Sequence, residues 1–243
     1  DGELELYDGE MRIIDSKGAR LAQFDPGDYL QHIGERVEDW SYLKFPYYRE
    51  LGWPGGAYRV GPLGRLNACD SISTPLAQAE LKLFRQLNGG RPVEQTLYYH
   101  YARLIEALYA LERTQQILDD PEVMSTDIIT PWAGVTGEGV GCVEAPRGTL
   151  FHHYWTDGNG QLTRVNLIVA TGHNNWAMSR AVESVAKTFV DGQNLTEGML
   201  NRVEAAIRAY DPCLSCSTHA VGQMPLEVTV HDAHGRQVSR ICR

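Results

Sequence analysis

Apolar and polar side chains alternate at the start of the chain (Leu4, Leu6, Met11, Ile13, Leu21, Phe24), and the turn formers Asp8-Gly9 and Ser16-Lys17-Gly18 interrupt the run. Alternation broken in this way predicts a small antiparallel meander over residues 1–24. From Asp25 to Asn67 the chain is dense in Pro, Gly and rings, among them Trp40, Tyr42, Phe45, Tyr47, Tyr48, Trp53 and Tyr58, which predicts a long irregular segment with one short helix. Thr74-Pro75 then reads as a capped helix start, and Asn88-Gly89-Gly90 as its end. The most regular pattern comes next. Leu97, Tyr101, Leu104, Leu108, Leu111 and Leu118 recur in three- and four-residue steps between about Val93 and the stop at Asp119-Asp120-Pro121. The stripe is read as a core face, not a cofactor box, and the two helices are expected to pack antiparallel.

Beyond Gly137 the pattern turns to strands: Val140 to Val143, Leu150 to Trp155, a turn at Asp157-Gly158-Asn159-Gly160, and Val165 to Ala170. Two further helices are predicted near Asn175 to Val190 and Thr196 to Tyr210, each with an Asn or Thr as cap and joined at Asp191-Gly192. A last alternation, Leu226, Val228 and Val230, turns at Ala233-His234-Gly235 toward Val238.

Composition narrows the picture. The 243 residues are 43% apolar and 22% charged, enough for one large or two small globular bodies rather than a disordered chain. A net charge of -9 with no basic cluster argues against nucleic acid as a partner. No apolar run approaches the ~18 residues that a bilayer span needs, and the first residues lack signal-peptide character, so no membrane insertion and a cytoplasmic location are expected. The chain starts at Asp1 without an initiator Met, which suggests a piece of something longer. Five cysteines (69, 142, 213, 216 and 242) are too few and too scattered for a disulfide framework.

Chemistry concentrates in Asp211-Pro212-Cys213-Leu214-Ser215-Cys216-Ser217-Thr218-His219. Two thiolates three residues apart can face one metal, with a His three further on. A structural zinc site, a thioredoxin-like dithiol and a soft transition metal with ligands from outside the chain are all compatible with the spacing. Zinc lacks a second ligand pair, and the dithiol follows a helix instead of opening one, so the third reading fits better. Cys69 and Cys142 read as small buried hydrophobes and Cys242 as a tail thiol. His152 and His153 are adjacent on a strand and point to opposite faces, so they cannot chelate one ion together.

The nonapeptide resembles the Asp-Pro-Cys-X-X-Cys-X-X-His ending of [NiFe]-hydrogenase large subunits, and Glu144-Ala145-Pro146-Arg147-Gly148-Thr149-Leu150 resembles that family's arginine segment. Tyr58-Arg59-Val60-Gly61-Pro62-Leu63, Asn174-Asn175-X-Ala177-Met178 and Ala220-Val221-Gly222-Gln223-Met224-Pro225-Leu226 are similar to the cytoplasmic, bidirectional, NAD-linked type. The resemblance implies an α+β, helix-dominated fold with small antiparallel sheets. It also implies that residues 1–219 are the C-terminal half of such a large subunit, with 220–243 a maturation extension removed by an endopeptidase.

Carried over by position, it implies that Cys213 is a terminal thiolate on nickel able to take a proton, and that Cys216 bridges nickel and iron. Arg147 would sit over the open metal position and donate to a cyanide on iron, with Asp211 orienting it. The backbone at Ala145 and Pro146 and the segment Val169-Ala170-Thr171 would wall the iron's CN and CO ligands. Thr171 would bond a cyanide, and Leu150 and Val169 would line the carbonyl pocket. The family more often has Pro-Ser or Pro-Thr where this chain has Ala170-Thr171. His219 would bind a structural Mg2+.

The family's remaining two cysteine ligands lie in an Arg-X-Cys-X-X-Cys segment that this chain lacks, so the fragment alone is expected to be inactive. The implied partners are the N-terminal half, an Fe–S small subunit, plus diaphorase subunits that carry the NAD(H) chemistry, and the implied reaction is reversible H2 oxidation. The alternatives are a non-catalytic scaffold subunit of a respiratory complex, disfavoured by the two thiols, and a zinc-binding interaction fragment.

Overall fold

The computed structural model describes residues 2–129, 131, 134, 137–214 and 227–242. Six α-helices and small antiparallel sheets make up these residues, in agreement with the expected α+β class. The opening hairpin pairs β1 (Met11–Ile14) with β2 (Arg20–Phe24). Leu4 and Leu6 do not join it. Leu4 instead bonds to Ser71 and buries in the helical core, and the Leu6 carbonyl accepts from Glu144 N–H at 2.8 Å.

The segment expected to be irregular holds a one-turn helix α1 (Tyr29–His32) and a second hairpin, β3 (Ile33–Glu38) with β4 (Ser41–Tyr48). Pro46 argues against a strand, but in a two-stranded sheet an outer edge needs no N–H donor, so a proline is tolerated there. Helix α2 (Pro62–Ala68) follows, with Pro at its first position.

The helical pair is α3 (Pro75–Gln86) and α4 (Tyr98–Leu118). Thr74 makes no side-chain cap. The carboxylate of Glu112, on α4, accepts from the amides of Leu76 and Ala77, each at 2.9 Å, and does that work in its place. The face of α4 that enters the core overlaps the expected one only through Tyr101 and Leu108, which are partly buried against it. Tyr99, Ala102, Ile105 and Tyr109 are buried against Leu63, Leu66, Leu81 and Phe84, whereas Leu97, Leu104, Leu111 and Leu118 are exposed. The buried face is made of rings, an isoleucine and an alanine, so its pattern is fainter than that of the leucines.

A three-stranded sheet in the order β5-β6-β7 (Glu138–Ala145, Gly148–Thr156, Leu162–Ile168) carries the second core, where Phe151 and Ile168 meet Phe24, Tyr29 and Ile33. Each such buried side chain contributes about 1.5–3 kcal/mol. A 3-10 turn (Ala170–Asn174) leads into α5 (Asn175–Phe189), which packs on α6 (Glu197–Ala209) as predicted. Neither Asn174 nor Thr196 caps these helices with its side chain. The hairpin β8 (Glu227–His231) with β9 (Gln237–Cys242) pairs with no other strand among the described residues. Leu226, Cys216 and His219 lie outside the described residues, as does the side chain of Cys242.

Candidate active site

Register brings the sequence-predicted residues to one end of the three-stranded sheet. Pro146 and Arg147 form the two-residue connection between β5 and β6, closed by the Ala145–Gly148 pair. Leu150 is the third residue of β6, close to that end, and because β7 runs antiparallel to β6, its end delivers Val169, Ala170 and Thr171 there too.

The turn is seated by backbone approach. Gly148 has φ +139°, and a Cβ on it would lie 2.1 Å from Val60 Cγ2; Gly61 has φ +83°, and its Cβ would lie 2.8 Å from the Arg147 carbonyl oxygen. Both positions therefore exclude a side chain. Asn174 stitches the two segments together: Val60 N–H donates to its Oδ1 at 2.9 Å, and its Nδ2 donates to the Arg147 carbonyl at 3.3 Å. Tyr99 from α4 donates its hydroxyl to the Val60 carbonyl at 2.9 Å. Asn174 is thus a clamp rather than a helix cap, which explains why the cap expected there is missing.

One flank of the turn is locked by Arg65, a residue that sequence reasoning passed over. Its guanidinium grips Glu106 through two bonds of 2.7 Å, and donates to Glu144 Oε2 and the Ala145 carbonyl at 2.8 Å and to the Pro146 carbonyl at 3.2 Å. Burial works against its charge, but the two carboxylates more than compensate and hold its pKa above the ordinary value. The carbonyls of Ala145 and Pro146 are consequently spoken for, and their peptides cannot reorient. The Leu-Gly-Arg-Leu context of Arg65 gave no sign of a buried charge pair.

On the other flank, Arg147 Nε donates to the Asp211 carbonyl at 2.6 Å and stands 3.2 Å from Asp211 Oδ2. The expected pairing of Arg147 with Asp211 is therefore made by backbone as well as carboxylate. The two terminal amino groups of Arg147 have no partner among the described residues, so the fork is available to a ligand. Asp211 reaches this position with φ +50°, a left-handed conformation that Asp tolerates better than most side chains. Two residues on, Cys213 N–H donates to Thr171 Oγ1 at 3.1 Å. Arg147, Asp211, Cys213 and Thr171 are therefore one connected group. A thiol on one segment of this group and a half-exposed guanidinium on another are the kinds of donor that a soft metal carrying anionic ligands would use. The described residues supply one of the expected thiolates and do not by themselves gather three His, Cys, Asp or Glu side chains into a metal cage.

The other candidates have different places. His153 is buried and shared between Tyr29 and Glu138, while His152 bonds Tyr154, so the two do face opposite ways. Burial pushes the thiol of Cys69 up to about 11 and that of Cys142 up to about 12, which makes both inert. His173 is buried in the 3-10 turn and shares a hydrogen bond with the Tyr58 hydroxyl; burial lowers its pKa to about 4, so it is neutral.

A nickel-dependent hydrogenase family model matches residues 6–219, and the chain belongs to that family. Among its relatives, the beta subunit of the NAD-reducing hydrogenase HoxS of Cupriavidus necator is 50% identical over 246 residues, covering 100% of this chain and 50% of the relative. The iron-sulfur subunit of the F420-non-reducing hydrogenase of Archaeoglobus profundus is 43% identical, with 99% of this chain and 51% of the relative covered. A crystal structure of an NAD+-reducing [NiFe]-hydrogenase in the H2-reduced state superposes with a TM-score of 0.84 at 45% identity over 89% of this chain and 48% of that one. The chain spans about half the length of the relatives it matches. No helix among the described residues is long and apolar enough to cross a membrane.

Proposed function

We propose that these residues are the C-terminal half of the large subunit of a cytoplasmic, NAD-linked [NiFe]-hydrogenase, and that residues 220–243 are a maturation extension. The observation that carries the reading is the connected group of Arg147, Asp211, Cys213 and Thr171 at the sheet end, reached from three separate stretches of chain. Cys213 and Cys216 would be two of four thiolate ligands of a Ni-Fe centre with CN and CO on iron, the other two coming from the absent half. His219 would hold Mg2+. When bound, such a centre supplies the reversible splitting of H2 into protons and electrons.

The chain's own residues then have separable tasks. The Sγ of Cys213 would be the first acceptor of a proton released at the centre. Arg147 presents its planar fork toward the open side of the site, where a guanidinium can donate to an anionic ligand and lysine could not do so through two parallel bonds. Asp211 sets the direction of that fork. Thr171, by accepting from the Cys213 amide, fixes where the thiolate loop begins, and Leu150 and Val169 keep water from the apolar side. Electrons would leave through an Fe–S small subunit to diaphorase subunits and NAD(H).

Metal analysis tests this. The full-length subunit purified with its partners is expected to hold nickel and iron, and Cys213→Ser is expected to lose nickel. Zinc in their place would favour an interaction fragment, and no metal at all a non-catalytic scaffold.

A further inference from the structure

The 3-10 turn Ala170–Asn174 is too short to hold its own shape, and three consecutive side chains at its end tie it to the rest of the fold. Asn175 Nδ2 donates to the Lys44 carbonyl of β4 at 3.1 Å, and Asn174 bonds Val60 and the Arg147 carbonyl. His173 Nδ1 shares a hydrogen bond of 2.5 Å with the Tyr58 hydroxyl. Gly172 has no side chain and Ala170 only a methyl group, so His173 is the polar anchor nearest to Thr171 within the turn. Its ring is 2% exposed, with its centroid 5.5 Å from that of Tyr58 and 6.1 Å from that of Phe151 on β6. Burial raises the pKa of the Tyr58 hydroxyl and lowers that of the imidazole, so both partners are neutral. A buried neutral pair adds little net stability, because two apolar rings would fill the same space without desolvating an oxygen and a nitrogen. What such a bond adds is direction.

We infer that Tyr58 and His173 are a positioning pair for Thr171, holding the turn in the orientation in which Thr171 Oγ1 accepts from the Cys213 amide and keeps its own proton for a ligand of the site. The inference rests on the proposed reading of that site as the seat of a Ni-Fe centre. Tyr58 is the fixed partner. The residues around it are held to β4 and beyond: Tyr48 N–H donates to the Gly56 carbonyl at 2.8 Å, Ala57 bridges to Tyr47, and Arg59 donates to the Glu94 carbonyl at 2.6 Å. The turn is therefore the part that is oriented. A hydroxyl has one proton and two lone pairs, and the 3.1 Å bond from Cys213 N–H takes one lone pair of Thr171. A turn displaced by about 1 Å away from Cys213 would break that bond and carry the hydroxyl proton with it. Asn174 does not duplicate this role, since its amide is committed to Val60 and the Arg147 turn.

The experiment uses the full-length subunit within its complex, with Tyr58→Phe and His173→Phe made singly and together. The double variant removes the bond and leaves neither partner unpaired, so its melting temperature is expected to stay within about 3 °C of the parent, with nickel and iron retained. Its turnover is expected to fall about 10- to 10²-fold, the scale of a small misplacement near the chemistry. The infrared stretching bands of the iron-bound CN ligands are expected to shift, and hydrogen exchange at the Cys213 amide to accelerate about tenfold or more. Tyr58→Phe alone, the loss of one oxygen, is expected to give the same band shift and the same acceleration, which keeps the inference falsifiable if the double variant does not fold. Unchanged bands or unchanged exchange overturns the inference. Loss of nickel from Tyr58→Phe, or a fall of more than about 10 °C in its melting temperature, overturns it too, because the pair would then serve the fold alone. An unsubstituted complex with no nickel and no CN bands refutes the proposed function, and exchange at Cys213 still decides whether the pair holds the turn.

Discussion

Two arginines meet the same two-residue turn and are treated in opposite ways. Arg65 keeps 7% of its side chain exposed and is held by two carboxylates and two carbonyls, whereas Arg147 keeps 39% and is held at one nitrogen by Asp211. A guanidinium bound at every edge can only be structural. One fixed at Nε alone has a defined direction and donors to spare. The pairing of a closed arginine with an open one shows how a short turn can be rigid and still present a ligand-binding group.

The largest effect is expected on the closed side. Arg65→Met leaves Glu106 and Glu144 partly buried without their partner and should cost about 3–5 kcal/mol in urea unfolding; a loss below about 1 kcal/mol would show that the turn does not depend on it. Next comes acid. The buried, neutral His173 has a pKa lowered to about 4, so below the unfolded value of 6.5 the unfolded state binds more protons than the folded one. Stability should therefore be complete above about pH 6.5 and fall by roughly 3 kcal/mol as the pH drops toward 4, and His173→Phe should flatten that slope.

On the open side the effect is in rate. Arg147→Lys in the full enzyme should lower H2 turnover about 10²-fold, with nickel retained and stability changed by no more than about 0.5 kcal/mol; loss of nickel or of fold would make Arg147 a second Arg65. The smallest effect is expected from removing residues 220–243. The β8–β9 hairpin pairs only with itself among the described strands, so thermal unfolding of the rest should shift by less than about 1 kcal/mol. The trimmed chain should nonetheless fail to acquire nickel if insertion precedes cleavage.

Contiguous signals were readable in the sequence. Helices α3 to α6, the β5-β6-β7 sheet and the terminal hairpin follow from periodicity and turn residues, and the Arg147 and Cys213 segments stand out as motifs. What escaped depends on distant partners. Hairpin β3–β4 was hidden by Pro46 and its neighbouring rings, whose tolerance at an edge depends on how many strands the sheet has. The leucine stripe of α4 was correctly periodic, but periodicity reveals that a face is apolar without saying which body covers it. Arg65, Glu106 and Asn174 come from three elements and converge on the turn only once the chain has folded. Asn174 lay inside a recognisable motif and could have been singled out; Arg65 could not.

The carboxylate of Glu112 that closes the first turn of α3 comes from 35 and 36 residues away. A helix start supplied by its own preceding residue can form early and alone, whereas this one is completed only when α4 has docked. The two helices should then form in a single cooperative step, with the cap gained late. Glu112→Gln would accordingly accelerate unfolding while leaving the refolding rate nearly unchanged, the kinetic mark of a contact absent from the transition state.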